Sequence, residues 1–158
     1  MKNFVVIILF LLSFIGFGQD CALQIDTVFV PFENKVLDCE LMSVTLKNKS
    51  VFTFVKAPNK KLYVKFIVTE NLYFNKKDQL EVRSGKRSFW VKDAIHYQHD
   101  KYKGYYFFEI YPNYVATLKD DGLTSIACGK AETDFGKSDS NQIKQLAKCF
   151  QESIAPKK

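Results

Sequence analysis

The sequence predicts an α+β protein: a mainly antiparallel sheet of six to eight strands, a short helix near residues 113–121, and a C-terminal helix near residues 140–153 packed on one face of the sheet. Three observations support this class. The 158-residue chain is 15% aromatic, with 15 Phe and 8 Tyr, which favours strands. A two-residue turn joins two alternating segments, and the last segment is apolar at helical spacing. A β-sandwich with an accessory helix is the alternative arrangement.

The first eighteen residues indicate a secretory signal peptide. Lys2 precedes an apolar run over residues 4–17, and Gly16 and Gly18 supply the small residues of a cleavage site. The run is too short for a stable membrane span. We therefore expect an exported protein, periplasmic or secreted, whose mature chain is one globular domain over residues 19–158 without a transmembrane span.

Alternation of apolar and polar residues predicts the strands. The best-defined unit is a hairpin over residues 79–92, in which Gly85 and Lys86 form a two-residue turn of type II′. This turn sets the register and places Val82 opposite Phe89 on an apolar face. Further strands are expected at residues 23–30, 36–47, 51–56, 61–69, 104–111 and 123–128.

Two helices are expected in the last third of the chain. Asn113 is the expected cap of the first helix, and Gly122 is expected to end it. Asp139, followed by Gln142 three positions later, indicates the start of the second helix. The second helix carries one apolar stripe, which suits docking on a sheet. The stripe consists of Ile143, Leu146, Ala147, Phe150 and Ile154.

All four cysteines lie after the signal peptide, and an even number in an exported chain indicates two disulfides. Three connectivities are open. We favour Cys21 with Cys39 and Cys128 with Cys149, because each pair joins segments that the predicted fold brings together. The spacings match no zinc motif. Asp20 stands where a lipobox requires a small residue, so we expect no lipid anchor.

Positive charge is concentrated in the middle of the chain. The net charge is +6, and residues 47–92 contain twelve basic and three acidic residues. Such a segment attracts acidic macromolecules, although lysines also protect exposed strand edges. Aromatic residues at 97–111 add rings that stack on sugars or bases, or that fill both faces of a sheet. The expected binding residues are Lys60, Lys61, Lys65, Arg83, Lys86 and Arg87.

The two histidines form the leading metal-binding or catalytic candidate. His96 and His99 lie between Asp93 and Asp100. On a helical turn, positions three apart share a face and hold a metal ion together. In a strand they point to opposite faces and cannot share one. The preceding hairpin pattern favours the strand, so we expect no metal site here.

No sequence motif identifies a reaction, and no nucleotide or dinucleotide fingerprint is present, so we expect no cofactor. The leading hypothesis is a non-catalytic domain of the bacterial cell envelope. Its partner would be an acidic macromolecule or a cell-surface component, bound through the basic and aromatic region. The alternatives are a metal-dependent hydrolase centred on His96 and His99, and a protein inhibitor or interaction module.

Overall fold

The computed structural model describes residues 21–69, 79–91, 93–100, 103–129 and 131–155. These ranges contain ten strands and two helices, which confirms the α+β class. The predicted signal peptide lies outside the described residues.

The larger sheet has six antiparallel strands in the order β1-β2-β3-β4-β8-β7. The strands are β1 (Gln24–Val30), β2 (Lys35–Thr45), β3 (Val51–Lys56), β4 (Leu62–Val68), β7 (Ile95–Asp100) and β8 (Lys103–Glu109).

The smaller sheet has four antiparallel strands in the order β10-β9-β5-β6. Its strands are β5 (Leu80–Ser84), β6 (Arg87–Val91), β9 (Ser125–Cys128) and β10 (Ala131–Asp134). The predicted hairpin is confirmed in its register, with Val82 opposite Phe89 and Ser84 opposite Arg87. Gly85 has φ 59, a conformation that glycine adopts without steric cost.

The ten strands exceed the predicted six to eight because β7 and β10 were not predicted as separate elements. Strand β7 pairs with β8 in the larger sheet, so the chain leaves the hairpin sheet after β6. Strand β10 has four residues and pairs with β9 across a tight turn at Gly129, which has φ 60. A strand this short shows too few alternations to predict from its pattern.

The two helices are α1 (Pro112–Asp121) and α2 (Lys137–Ile154). Helix α1 begins one residue before the prediction: Tyr111 is the N-cap, and Asn113 is not. Pro112 favours the first helical position because its φ is preset and its missing N–H loses no bond there. Helix α2 begins at Lys137, so the prediction that Asp139 precedes the helix is wrong, and this residue lies in the first turn.

The main core lies between the two sheets and the helices. Helix α2 buries the predicted stripe residues Ile143, Leu146, Ala147 and Phe150. Phe150 stacks on Phe54 of β3, with ring centroids 4.7 Å apart. Helix α1 buries Val115 and Leu118. The core joins one face of the larger sheet to the smaller sheet, so the other face of the larger sheet is an outer face.

A second, smaller core covers part of that outer face. It contains Val28 and Val30 of β1, Cys39 of β2, Tyr63 of β4 and Phe107 of β8. The tip of the β1–β2 hairpin reaches over the sheet, because Phe32 at the tip stacks on Tyr63 with centroids 5.9 Å apart. The hairpin tip therefore leaves only the remainder of the outer face open to a ligand.

The predicted cysteine pairing is wrong. Cys21 is bonded to Cys149, with Cα atoms 5.3 Å apart, whereas Cys39 and Cys128 are buried thiols. Cys128 points into the main core at the end of β9, while Cys149 lies at the margin of that core. The chain entering β1 reaches this margin, since Leu23 packs against the main core. Burial raises the pKa of the Cys39 thiol, and the charge of Asp38 adds to the effect.

Candidate functional site

Three of the predicted basic residues lie on β4 and the turn before it. Lys60 and Lys61 are exposed at the β3–β4 turn, and Lys65 is half-buried in the middle of β4. Lys65 shares the outer face with Tyr63, two residues earlier in the strand. None of these three lysines forms an ion pair within the described part of the chain. Their charges are therefore available to an acidic ligand.

The other three predicted basic residues lie on the β5–β6 hairpin of the smaller sheet. Arg83 is ion-paired with Glu132 and, at 2.7 Å, with Glu81. Because of the hydrogen bond from Arg83, the pKa of Glu81 is lowered. Glu81 of the same strand and Glu132 of β10 therefore neutralise Arg83 within the protein.

Arg87 is neutralised in the same way. Its guanidinium donates hydrogen bonds of 2.8 and 3.0 Å to Asp121 at the end of α1, and Asp120 lies 3.7 Å away. The hydrogen bond to Asp121 raises the pKa of Arg87. Lys86 is exposed at the turn and has no ion pair among the described residues.

The six basic residues are spread over two sheets. Tyr63 of β4 is paired with Glu109, just before α1, whereas Gly85 of the hairpin turn approaches Asp121, at the other end of α1. The ten residues of α1 span about 15 Å. The lysines of β4 and the arginines of the hairpin therefore lie toward opposite ends of this helix.

Two aromatic rings lie beside Lys65 on the outer face. The Lys65 ammonium lies 5.9 Å from the ring centroid of Tyr105 on β8. Tyr105 stacks on Tyr97 of β7, with centroids 5.5 Å apart, and Tyr97 is 53% exposed. Ring faces beside a cation are suited to stacking on sugars or bases. The predicted aromatic stretch at 97–111 thus contributes two tyrosines to this face.

The hairpin tip borders this surface on the side of Lys61. Glu33 at the tip accepts hydrogen bonds from the Tyr63 hydroxyl at 3.1 Å and from the Asn59 side chain. The pKa of Tyr63 is raised, first by burial and then by its hydrogen bond to Glu33. These bonds fasten the tip over Tyr63, between Lys61 and Lys65. The surface formed by Lys60, Lys61, Lys65, Tyr97 and Tyr105 is called the lysine–tyrosine surface below.

The histidines lie in one strand, as the favoured interpretation predicted. His96 and His99 both belong to β7, whose pairing with β8 is irregular between Gln98 and Asp100. His96 packs edge-to-face against Tyr106, with centroids 5.7 Å apart. The side chains of His99 and Asp100 lie outside the described part. Among the described residues, no three His, Cys, Asp or Glu side chains are grouped as a metal site would require.

A cleft that the sequence did not indicate lies where the smaller sheet meets the start of α1. Its volume is about 370 Å³. One wall comes from β6 and the loop after it, and the other from the end of β8, the start of α1 and the β1–β2 tip. The lining side chains are Phe32, Phe89, Trp90, Val91, Asp93, Glu109, Tyr111 and Tyr114. One sequence signal was available: Trp90 occupies the polar face of the predicted hairpin, where a large apolar ring has no core to fill.

Within the described ranges, neither helix has the length and apolar character needed to cross a bilayer. Comparison of the chain with protein-family models, with curated proteins and with solved structures finds no match.

Proposed function

We propose that this protein is an exported, non-catalytic binding domain of the cell envelope, and that its lysine–tyrosine surface binds an acidic macromolecule. The observation that carries the proposal is the position of Lys65 over Tyr105, next to the exposed ring of Tyr97. A cation that has no acidic partner among the described residues, placed beside stacked rings, offers a polyanion both charge and stacking.

The spacing of the lysines favours a polymer over a small anion. Lys61 and Lys65 are four residues apart, which corresponds to about 13 Å along an extended strand. Phe32 covers Tyr63 between them. A small anion reaches one of these sites, whereas a polymer with repeated negative charges reaches both. Binding at several such charges releases counterions and gives a strong dependence on salt.

The disulfide between Cys21 and Cys149 supports the exported part of the proposal, since disulfides persist in oxidising compartments. We propose further that the mature chain begins at Gln19 and carries no lipid. Mass spectrometry of the N-terminus of the exported protein tests this: a diacylglycerol on Cys21, or an intact Met1, contradicts it.

The binding test uses two triple variants of equal charge. In the first, Lys60, Lys61 and Lys65 are each replaced by Gln. The control variant replaces Lys47, Lys137 and Lys148 by Gln in the same way. These three lysines are exposed on and beside α2.

Retention on immobilised heparin at low salt is compared for both variants and the native protein. We expect the first variant to elute at a clearly lower salt concentration than the control. Equal elution of the two variants, or no retention of the native protein, refutes the proposal. Retention that does not change with salt favours a protein-interaction module instead.

A further inference from the structure

The aromatic cleft has the size and charge of a small-ligand site. Its volume of about 370 Å³ lies in the range of pockets that hold small molecules. The cleft is built on packed elements: Phe89 of β6 is buried in the main core and stacks on Tyr114 of α1, with centroids 4.1 Å apart. The rear of the cleft is therefore rigid and already formed.

Two aromatic side chains at the cleft are unusually exposed. Trp90 is 56% exposed and Tyr111 is 55% exposed, although most other large apolar side chains of the described residues are buried. Tyr111 also contacts Tyr114, with ring centroids 6.0 Å apart. Exposed rings cost hydration free energy unless a ligand covers them, and Trp has the strongest attraction for cations among the aromatic residues.

The charge of the cleft is negative, whereas the chain as a whole carries +6. Asp93 and Glu109 line it, and no Lys or Arg of the described ranges does so. Neither carboxylate forms an ion pair within those ranges. Burial and the hydrogen bond to Glu33 raise the pKa of the neighbouring Tyr63, and the charge of Glu109 adds a smaller contribution. A bound cation would supply the positive charge that the cleft itself lacks.

We propose that this cleft binds an organic cation, namely a positively charged nitrogen on a short apolar stem. The carboxylates of Asp93 and Glu109 attract the charge, and the rings of Trp90 and Tyr111 cover the stem and the ammonium face. A free alkylammonium compound and the side chain of a Lys or Arg residue share this chemistry. The site shares no residue with the lysine–tyrosine surface and carries the opposite charge.

Trp90 is the one tryptophan of the chain, so tryptophan fluorescence reports on the cleft without labelling. The protein is titrated with choline and with its neutral isostere 3,3-dimethyl-1-butanol. Parallel titrations use acetyl-lysine amide and acetyl-arginine amide to distinguish a free alkylammonium from a peptide side chain. We expect a dissociation constant of about 1 mM for at least one cation and affinity about tenfold weaker for the neutral isostere.

Charge-neutral variants locate the site. Glu109→Gln and Asp93→Asn are expected to weaken cation binding by about tenfold each. The control Glu152→Gln removes one carboxylate from an exposed position on α2 and is expected to bind as the native protein does. If Glu109→Gln fails to fold, as judged by circular dichroism, the exposed Asp93→Asn variant still decides the question.

Two outcomes overturn the inference: equal binding of the cation and its neutral isostere, or no fluorescence change with any cation. The Lys60, Lys61 and Lys65 triple variant is expected to bind the cation normally. This result separates a failure of the cation site from a failure of the proposed polyanion binding.

Discussion

Removal of the disulfide should cause a large loss of stability. Cys21 is exposed just before β1, so Cys21→Ser removes the bond with little change in packing. The bond to Cys149 joins residues 128 positions apart and closes a loop around nearly the whole described domain. In the chain-entropy model a loop of this length contributes about 5 kcal/mol, and measured disulfides typically contribute about 2–4 kcal/mol. We expect a loss of about 3–5 kcal/mol, which is large beside a typical total stability of about 5–15 kcal/mol.

Urea unfolding with and without a reductant measures this effect. The free energy of unfolding of the native protein should fall by this amount when reductant is added. Cys21→Ser should show the lower free energy of unfolding both with and without reductant. The control is Cys39→Ala, which removes a buried thiol outside the disulfide. The difference in free energy of unfolding between this variant and the native protein should therefore be the same with and without reductant. The reasoning is refuted if reductant leaves the native protein unchanged, or if non-reducing peptide mapping links Cys39 or Cys128.

Three further predictions concern the core, a glycine and alkaline pH. Phe150→Ala should lower the free energy of unfolding by about 3–5 kcal/mol in urea, because the fully buried ring leaves a cavity; a loss below about 1 kcal/mol contradicts the core assignment. Gly122→Ala should lower the free energy of unfolding by about 3 kcal/mol, because φ is +73° and a Cβ would lie 2.6 Å from a backbone oxygen of α2. The control Gly136→Ala places its Cβ in open space and should change stability little. Equal melting temperatures for the two variants would refute this contrast. Burial raises the pKa of Tyr63 and Tyr106 in the folded protein, so their contribution to stability is complete below the ordinary tyrosine pKa of about 10 and declines above it. The phenolate absorbance of these two rings should therefore appear only when the protein unfolds. Ionisation of either ring before unfolding would contradict the prediction.

Local patterns predicted the local structure well. The β5–β6 register followed from a two-residue turn, because the turn alone fixes which residues face each other. Residues 61–69 were predicted as a strand from their alternation, and the apolar set Leu62, Val64, Phe66 and Val68 lies in the main core. The stripe on α2 was likewise predicted, since helical spacing and burial agree.

Contacts between distant segments escaped prediction. Strand β4 pairs with β8, and β5 pairs with β9, and such choices depend on the packing of the whole chain. The disulfide from Cys21 to Cys149 depends on how the N-terminal segment crosses the margin of α2, which no local pattern records.

For the candidate sites as well, local features were predicted and contacts between distant segments were not. Sequence composition located basic residues but could not show that Arg83 is paired with a carboxylate of β10 and Arg87 with a carboxylate of α1. The aromatic cleft was missed because its lining comes from five separate elements and loops. Only the tertiary fold brings Phe32, Trp90 and Glu109 to one place.

The most direct test of polyanion binding is the salt dependence of affinity for a labelled heparin oligosaccharide. A plot of log affinity against log salt has a slope set by the number of charge contacts. Replacing Lys60, Lys61 and Lys65 by Gln should reduce the magnitude of this slope by about 2 to 3, as expected for three lost contacts. The control replacing Lys47, Lys137 and Lys148 should keep the native slope. An equal reduction in both variants, or a native affinity independent of salt, would contradict binding at the lysine–tyrosine surface.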